Sequence, residues 1–175
     1  MGPSLSVTPD HLFVRLQECA ASELLDDWTW LVGTSNRLLL VTACGDAFLE
    51  NQQDGSVLFL DVSAAQVSPV VSTVEAFGLA LCEPAFVDLY LCRERVEELR
   101  RNGKVLNAAQ IYSYRVPLSL GGQTGSENVE ITDVYVHFAL TGQIERQIAD
   151  MPAGTPVSAI KFDTDADKKP WWRFW

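Results

Sequence analysis

A single α+β domain, an antiparallel meander packed against helices, is the fold this sequence predicts, and three observations carry the prediction. The chain has 175 residues, 47% of them hydrophobic, which suffices for one continuous core and is too apolar for a disordered chain. Short apolar runs rich in β-formers follow one another between residues 37 and 62, separated by turns at Gly45-Asp46 and Gln53-Asp54-Gly55. Segments with helical spacing or capping signals lie on either side of them. No internal repeat or linker divides the chain. Residues 1–30 read as a helical lead, 31–162 as the α+β domain, and 163–175 as an acidic then aromatic tail.

From Ser6 to Ala20, the start Thr8-Pro9-Asp10 followed by Leu12, Phe13, Leu16 and Cys19 predicts an amphipathic helix. After Asp26-Asp27, the run Trp28 to Gly33 is too apolar for a loop and is expected to pack that helix onto the rest. Arg37–Ala43, Ala47–Glu50 and Val57–Val62 form the meander, with helices expected over one face of the sheet. Gln66–Val71 adds an edge strand, where Pro69 is tolerable because an outer N–H needs no partner. Ser72 and Glu75 have capping-box spacing and open a helix that runs to Cys82. Pro84 restarts the chain, and Arg93–Asn102 reads as a charged helix ended by Gly103. Gln110–Val116 is a further strand stopped by Pro117. Residues 120–128, with Gly121, Gly122 and Gly125, read as a flexible loop near a sheet edge, and long loops are often functional. Val134–Ile148 fits a helix, closed by Met151-Pro152-Ala153-Gly154, and Val157–Phe162 reads as a last strand.

The formal charge of −10 repels phosphate and anionic lipid, so nucleic-acid binding is disfavoured and a basic protein partner is favoured. No apolar run approaches the roughly 18–20 residues that cross a bilayer, and the N-terminus lacks a signal-peptide pattern; the expectation is a cytoplasmic protein without a membrane partner. Cys19, Cys44, Cys82 and Cys92 form no C-x-x-C pair and read as reduced core thiols. His11 and His137 stand in no metal-ligand spacing, so no metal or cofactor is expected. Gly121-Gly122-x-x-Gly125 lacks the Lys-Ser/Thr of a phosphate loop. A hydrolase would require Cys44 or Cys19 to meet His137 in a cleft, and the expectation is that the chain is not an enzyme. The carboxylates Asp46/Glu50 and Glu127/Glu130/Asp133 read either as a solvated face or as one meant for basic residues of a partner.

The ordered set Gly45-Asp46-Ala47-Phe48-Leu49, Asp54-Gly55-Ser56-Val57, Leu60-Asp61, Tyr114-Arg115-Val116-Pro117, Leu120-Gly121-Gly122, Glu127-Asn128, Val136-His137-Phe138, Gly142-Gln143-Ile144 and Pro152-Ala153-Gly154-Thr155 resembles the Tdi-type C-terminal domain of type VI secretion immunity proteins. The resemblance spans roughly Leu31 to Phe162. It implies a cytosolic antidote that binds and neutralises a cognate effector toxin, a DNase in the best-known cases, and that is a monomer or homodimer when free. A surface built from Asp46, Glu50, Asp54, Glu127, Asn128, Glu130 and Asp133 and the glycine loop is the expected contact, and the tail residues Trp171, Trp172 and Trp175 either fold back on their own domain or anchor in the partner. The alternative is a small-ligand-binding or regulatory domain, with the glycine loop closing an apolar cavity beside Tyr112 or Tyr114.

Overall fold

Two sheets and a set of helices make up the computed structural model, which describes residues 7–14, 16, 23–152, 155, 157 and 159–162. The first sheet has five antiparallel strands in chain order: β1 (Phe13–Val14), β2 (Asn36–Thr42), β3 (Ala47–Asn51), β4 (Val57–Asp61) and β5 (Gln66–Val71). The meander and the edge position of Pro69 thus follow the sequence pattern, with Pro69 opposite Leu58. The second sheet pairs β6 (Gln110–Tyr114) with β7 (Val129–Asp133). It is joined to the first by the Tyr112 N–H, which donates to the Ala43 carbonyl at 2.8 Å.

The helix expected from Ser6 to Ala20 is not what forms over its described part. Pro9–His11 is a single 3-10 turn, and Phe13-Val14 then pairs with Thr42 and Val41. Thr8 does start the turn, its N–H donating to His11 Nδ1 at 3.0 Å. What wins beyond it is the exposed edge of β2, whose backbone groups need partners that the β-favouring Phe13-Val14 supplies. Cys19 lies outside the described residues.

Helices cover both faces of the sheet rather than one. The reason is legible in β3, where Phe48 points to one side and Ala47 and Leu49 to the other, so neither side is polar. On the Phe48 side lie α2 (Val74–Ala80), α3 (Pro84–Tyr90) and α4 (Arg93–Arg101). Phe48 sits 4.7 Å from Phe77, 5.0 Å from Phe59 and 5.7 Å from Tyr90, centroid to centroid. On the Ala47/Leu49 side lie Trp28, the 3-10 turn Asp26–Trp28 with the short α1 (Thr29–Val32), and α5 (Val134–Ala149). Trp28 is fully buried and its indole N–H donates to the Phe138 carbonyl at 3.0 Å, so this apolar segment packs against α5.

Several boundaries differ from the sequence reading. The cap of α2 is Thr73, whose hydroxyl accepts from the Ala76 N–H at 3.1 Å, one residue beyond the expected Ser72. Pro84 opens the helix α3, as proline does at a first helical position. Gly103 ends α4 as expected, with its N–H and that of Lys104 donating to the carbonyls of Arg100 and Leu99. The strand β7 precedes α5, and the switch is set by Asp133, whose carboxylate accepts from the N–H groups of Tyr135 and Val136 at 2.9 and 3.3 Å. No strand forms among the described residues of 157–162; there the Lys161 backbone bonds to the Gln147 side chain, which donates 2.7 Å to its carbonyl and accepts 3.0 Å from its N–H.

Candidate functional site

The turn between β2 and β3 connects the two halves of the chain. Gly45 has φ +88°, and a Cβ there would lie 2.5 Å from His137 Nε2. The glycine therefore provides both the backbone angle and the space for a histidine 92 residues away. Nε2–H donates to the Gly45 carbonyl at 3.1 Å, since a carbonyl can only accept, and Nδ1 accepts from the Ser113 hydroxyl at 2.9 Å. Burial lowers the His137 pKa to about 4, outweighing the bond to Gly45.

The unfolded chain takes up a proton near pH 6.5 while the folded ring stays neutral, so this contribution is intact above that pH. It is lost progressively as pH falls towards 4, by up to roughly 3 kcal/mol. An imidazole NMR titration is expected to leave His137 unprotonated down to about pH 5; a midpoint at the ordinary histidine value would contradict the burial.

The carboxylates assigned to a partner surface are placed differently from one another. Asp46 turns inward, accepting from the Val62 N–H at 3.0 Å. Burial and then the nearby Asp61 carboxylate raise its pKa well above the usual range, against the effect of the Val62 bond. Glu50 pairs across the strands with Arg37 at 2.6 Å. Asp54 is exposed in the β3–β4 turn and accepts from the Ser56 N–H and hydroxyl, bonds that lower its pKa. Asp133 is committed to the cap of α5. Glu127 and Glu130 are exposed, the latter 3.7 Å from Arg115. Trp171, Trp172 and Trp175 lie outside the described residues.

The loop at 120–128, expected to be flexible, is fastened at several points. Asn128 accepts from the Val116 N–H at 3.0 Å and donates to the carbonyls of Val116 and Gln123 at 2.9 and 2.8 Å. Arg95 donates to the Thr124 carbonyl at 2.9 Å, and Lys104 to those of Ser126 and Val129. Of its three glycines only Gly121 takes a positive φ; at Gly122 a Cβ would meet the Val116 carbonyl at 1.9 Å, so the requirement is close backbone approach. Neither Arg95 nor Lys104 was singled out by pattern, because a cation in a helix and one after a glycine carry no local sign of the loop they hold.

A partly open cavity of about 220 Å³ lies where the two sheets meet α4 and α5, and Cys44, Cys92, Tyr112, Tyr114 and His137 are among its walls. The glycine loop from Leu120 to Asn128 does not line it, so the lid required by the small-ligand alternative is absent from this cavity. Cys44 and His137 do share it. Both ring nitrogens of His137 are already engaged, and the neighbouring Cys92 thiol and burial push the Cys44 pKa well up, so this pair lacks an activated nucleophile. Cys44, Cys82 and Cys92 are free thiols; Cys44 and Cys92 are half-buried, with Cys44 packed against the Phe48-side core, whereas Cys82 is exposed and is not a core thiol. Among the described residues no three His, Cys, Asp or Glu groups could hold a metal ion. No described helix is long and apolar enough to cross a membrane.

Comparison with known proteins bears on the same region. No curated protein matches the chain. The crystal structure of Atu4351 from Agrobacterium tumefaciens resembles it over 77% of this chain and 68% of that one, with a TM-score of 0.53 and 19% sequence identity, a likeness of fold. The family described as T6SS immunity protein Tdi1, C-terminal, matches residues 71–145. Inside that match fall the motifs from Tyr114 to Ile144; those at Gly45–Asp61 and Pro152–Thr155 lie outside it. The stretch from Val71 to Glu145, comprising the Phe48-side helices, β6, β7 and most of α5, carries the pattern of a type VI secretion immunity protein.

Proposed function

We propose that this chain is a cytoplasmic immunity protein that binds a cognate type VI effector, a basic nuclease, and neutralises it by occupying its surface. The observation that carries the reading is the family match over residues 71–145. The charge of −10 supports the choice of partner, because an acidic protein is steered towards the cationic cleft with which a nuclease holds its substrate. Blocking such a cleft needs no chemistry from the inhibitor.

Glu127 and Glu130 are the direct contacts in this proposal, being exposed and adjacent to a loop held in one shape. Asn128 and the glycines Gly121, Gly122 and Gly125 set that shape, Asp54 and Glu50 extend the acidic surface, and Asp46 and Asp133 act through the turn and cap they hold. The test begins with a pull-down from native lysate at low and high salt and identification of the retained partner. The double reversal Glu127→Lys/Glu130→Lys is then expected to slow association with it roughly tenfold at low salt and to flatten the salt dependence. Unchanged kinetics would remove the loop from the contact.

A further inference from the structure

We infer that Cys44 and Cys92 form a reversible disulfide, a thiol switch that fastens the start of α4 to the β2–β3 turn when the protein meets a peroxide. The two side chains come from distant parts of the chain, Cys44 from the end of β2 and Cys92 from the residue that caps α4, and both line the cavity described above. Each thiol is the leading influence on the other's pKa, as neighbouring sulfurs are. Neither is fully buried, and the cavity is partly open, so a small oxidant has a path to them. Cys92 also takes the left-handed conformation, φ +48°, which an L-residue other than Asn or Asp seldom adopts.

The environment assigns the order of events. The neighbouring Cys44 thiol, followed by the Arg95 guanidinium, lowers the Cys92 pKa against the effect of burial, while Cys92 and burial raise that of Cys44. Cys92 is therefore the thiolate and Cys44 the resolving thiol. The Cys92 sulfur attacks one peroxide oxygen; the O–O bond breaks, the departing oxygen leaves as water after protonation, and Cys92 becomes a sulfenic acid. The Cys44 sulfur then attacks the Cys92 sulfur, the S–O bond breaks, and the hydroxide released takes the Cys44 proton as a second water. Overall two thiols and one peroxide give one disulfide and two waters, and a small thiol reverses the bond by exchange.

Fragment mapping of the wild-type protein tests this directly. Cleavage on the N-terminal side of aspartates puts Cys19, Cys44, Cys82 and Cys92 on four different fragments. After treatment with hydrogen peroxide and alkylation without reductant, the expected product is one linked species joining the Cys44 and Cys92 fragments, lighter than their sum by two hydrogens and abolished by dithiothreitol. Peroxide is also expected to raise the thermal midpoint of wild type and of Cys82→Ser, and not that of Cys92→Ser. Independent alkylation of Cys44 and Cys92 after oxidation, or a link from Cys92 to Cys82 or Cys19 instead, would overturn the inference.

Discussion

Trp28→Ala is expected to destabilise the fold by about 3–5 kcal/mol. The side chain is fully buried between the first sheet and α5, among Val41, Leu49, Leu60 and Phe138. Its removal opens a cavity in a part of the core that the surrounding backbone holds open: a Cβ at Gly142 would come within 2.6 Å of the Asp27 carbonyl, so the helix and the 3-10 turn are already at closest approach. The Phe138 carbonyl also loses the indole donor. Trp28→Phe keeps most of the volume and forfeits mainly that bond, at about 1 kcal/mol. Urea denaturation of the two variants separates the packing from the hydrogen bond. Equal losses in both would show that the bond, and not the volume, holds α5 in place.

Gly45→Ala is the second large effect, expected to cost about 3 kcal/mol. Part of this is the positive φ, and part is displacement of His137 from a position where both its nitrogens are bonded. Gly55→Ala is the internal control: its φ is +76°, but nothing lies within 4 Å of a Cβ there, so only the backbone strain of about 1 kcal/mol applies. If the two variants lose the same stability, the fit of His137 against the turn is not what position 45 is selected for.

The meander was legible because each of its signals is local. Turn residues at Gly45-Asp46 and Asp54-Gly55 punctuate apolar runs, and the edge proline marks where pairing ends. The first helix was misread for a long-range reason: Phe13-Val14 has an apolar spacing that suits a helix, and the unpaired edge of β2 decides otherwise. The strand β7 escaped notice because its apolar residues, Val129 and Ile131, merge in sequence with those of the helix that follows without a break. Of the site, the acidic residues could be found by composition, but not that Asp133 caps a helix or that Asp46 turns inward. Those roles depend on which backbone N–H groups the fold presents to a carboxylate, at Tyr135 and at Val62. The meeting of Cys44 with Cys92, and of Ser113 with His137, is set by how the second sheet docks, which no window of the sequence contains.

Neutralisation by the proposed immunity protein is measured directly by the survival of cells that express the partner effector, identified by pull-down, with and without this chain. The effector alone is expected to kill and to degrade the chromosome, and co-expression of this chain to restore growth and intact DNA. Death at the same rate, with both proteins present in comparable amounts in the soluble fraction, would contradict it.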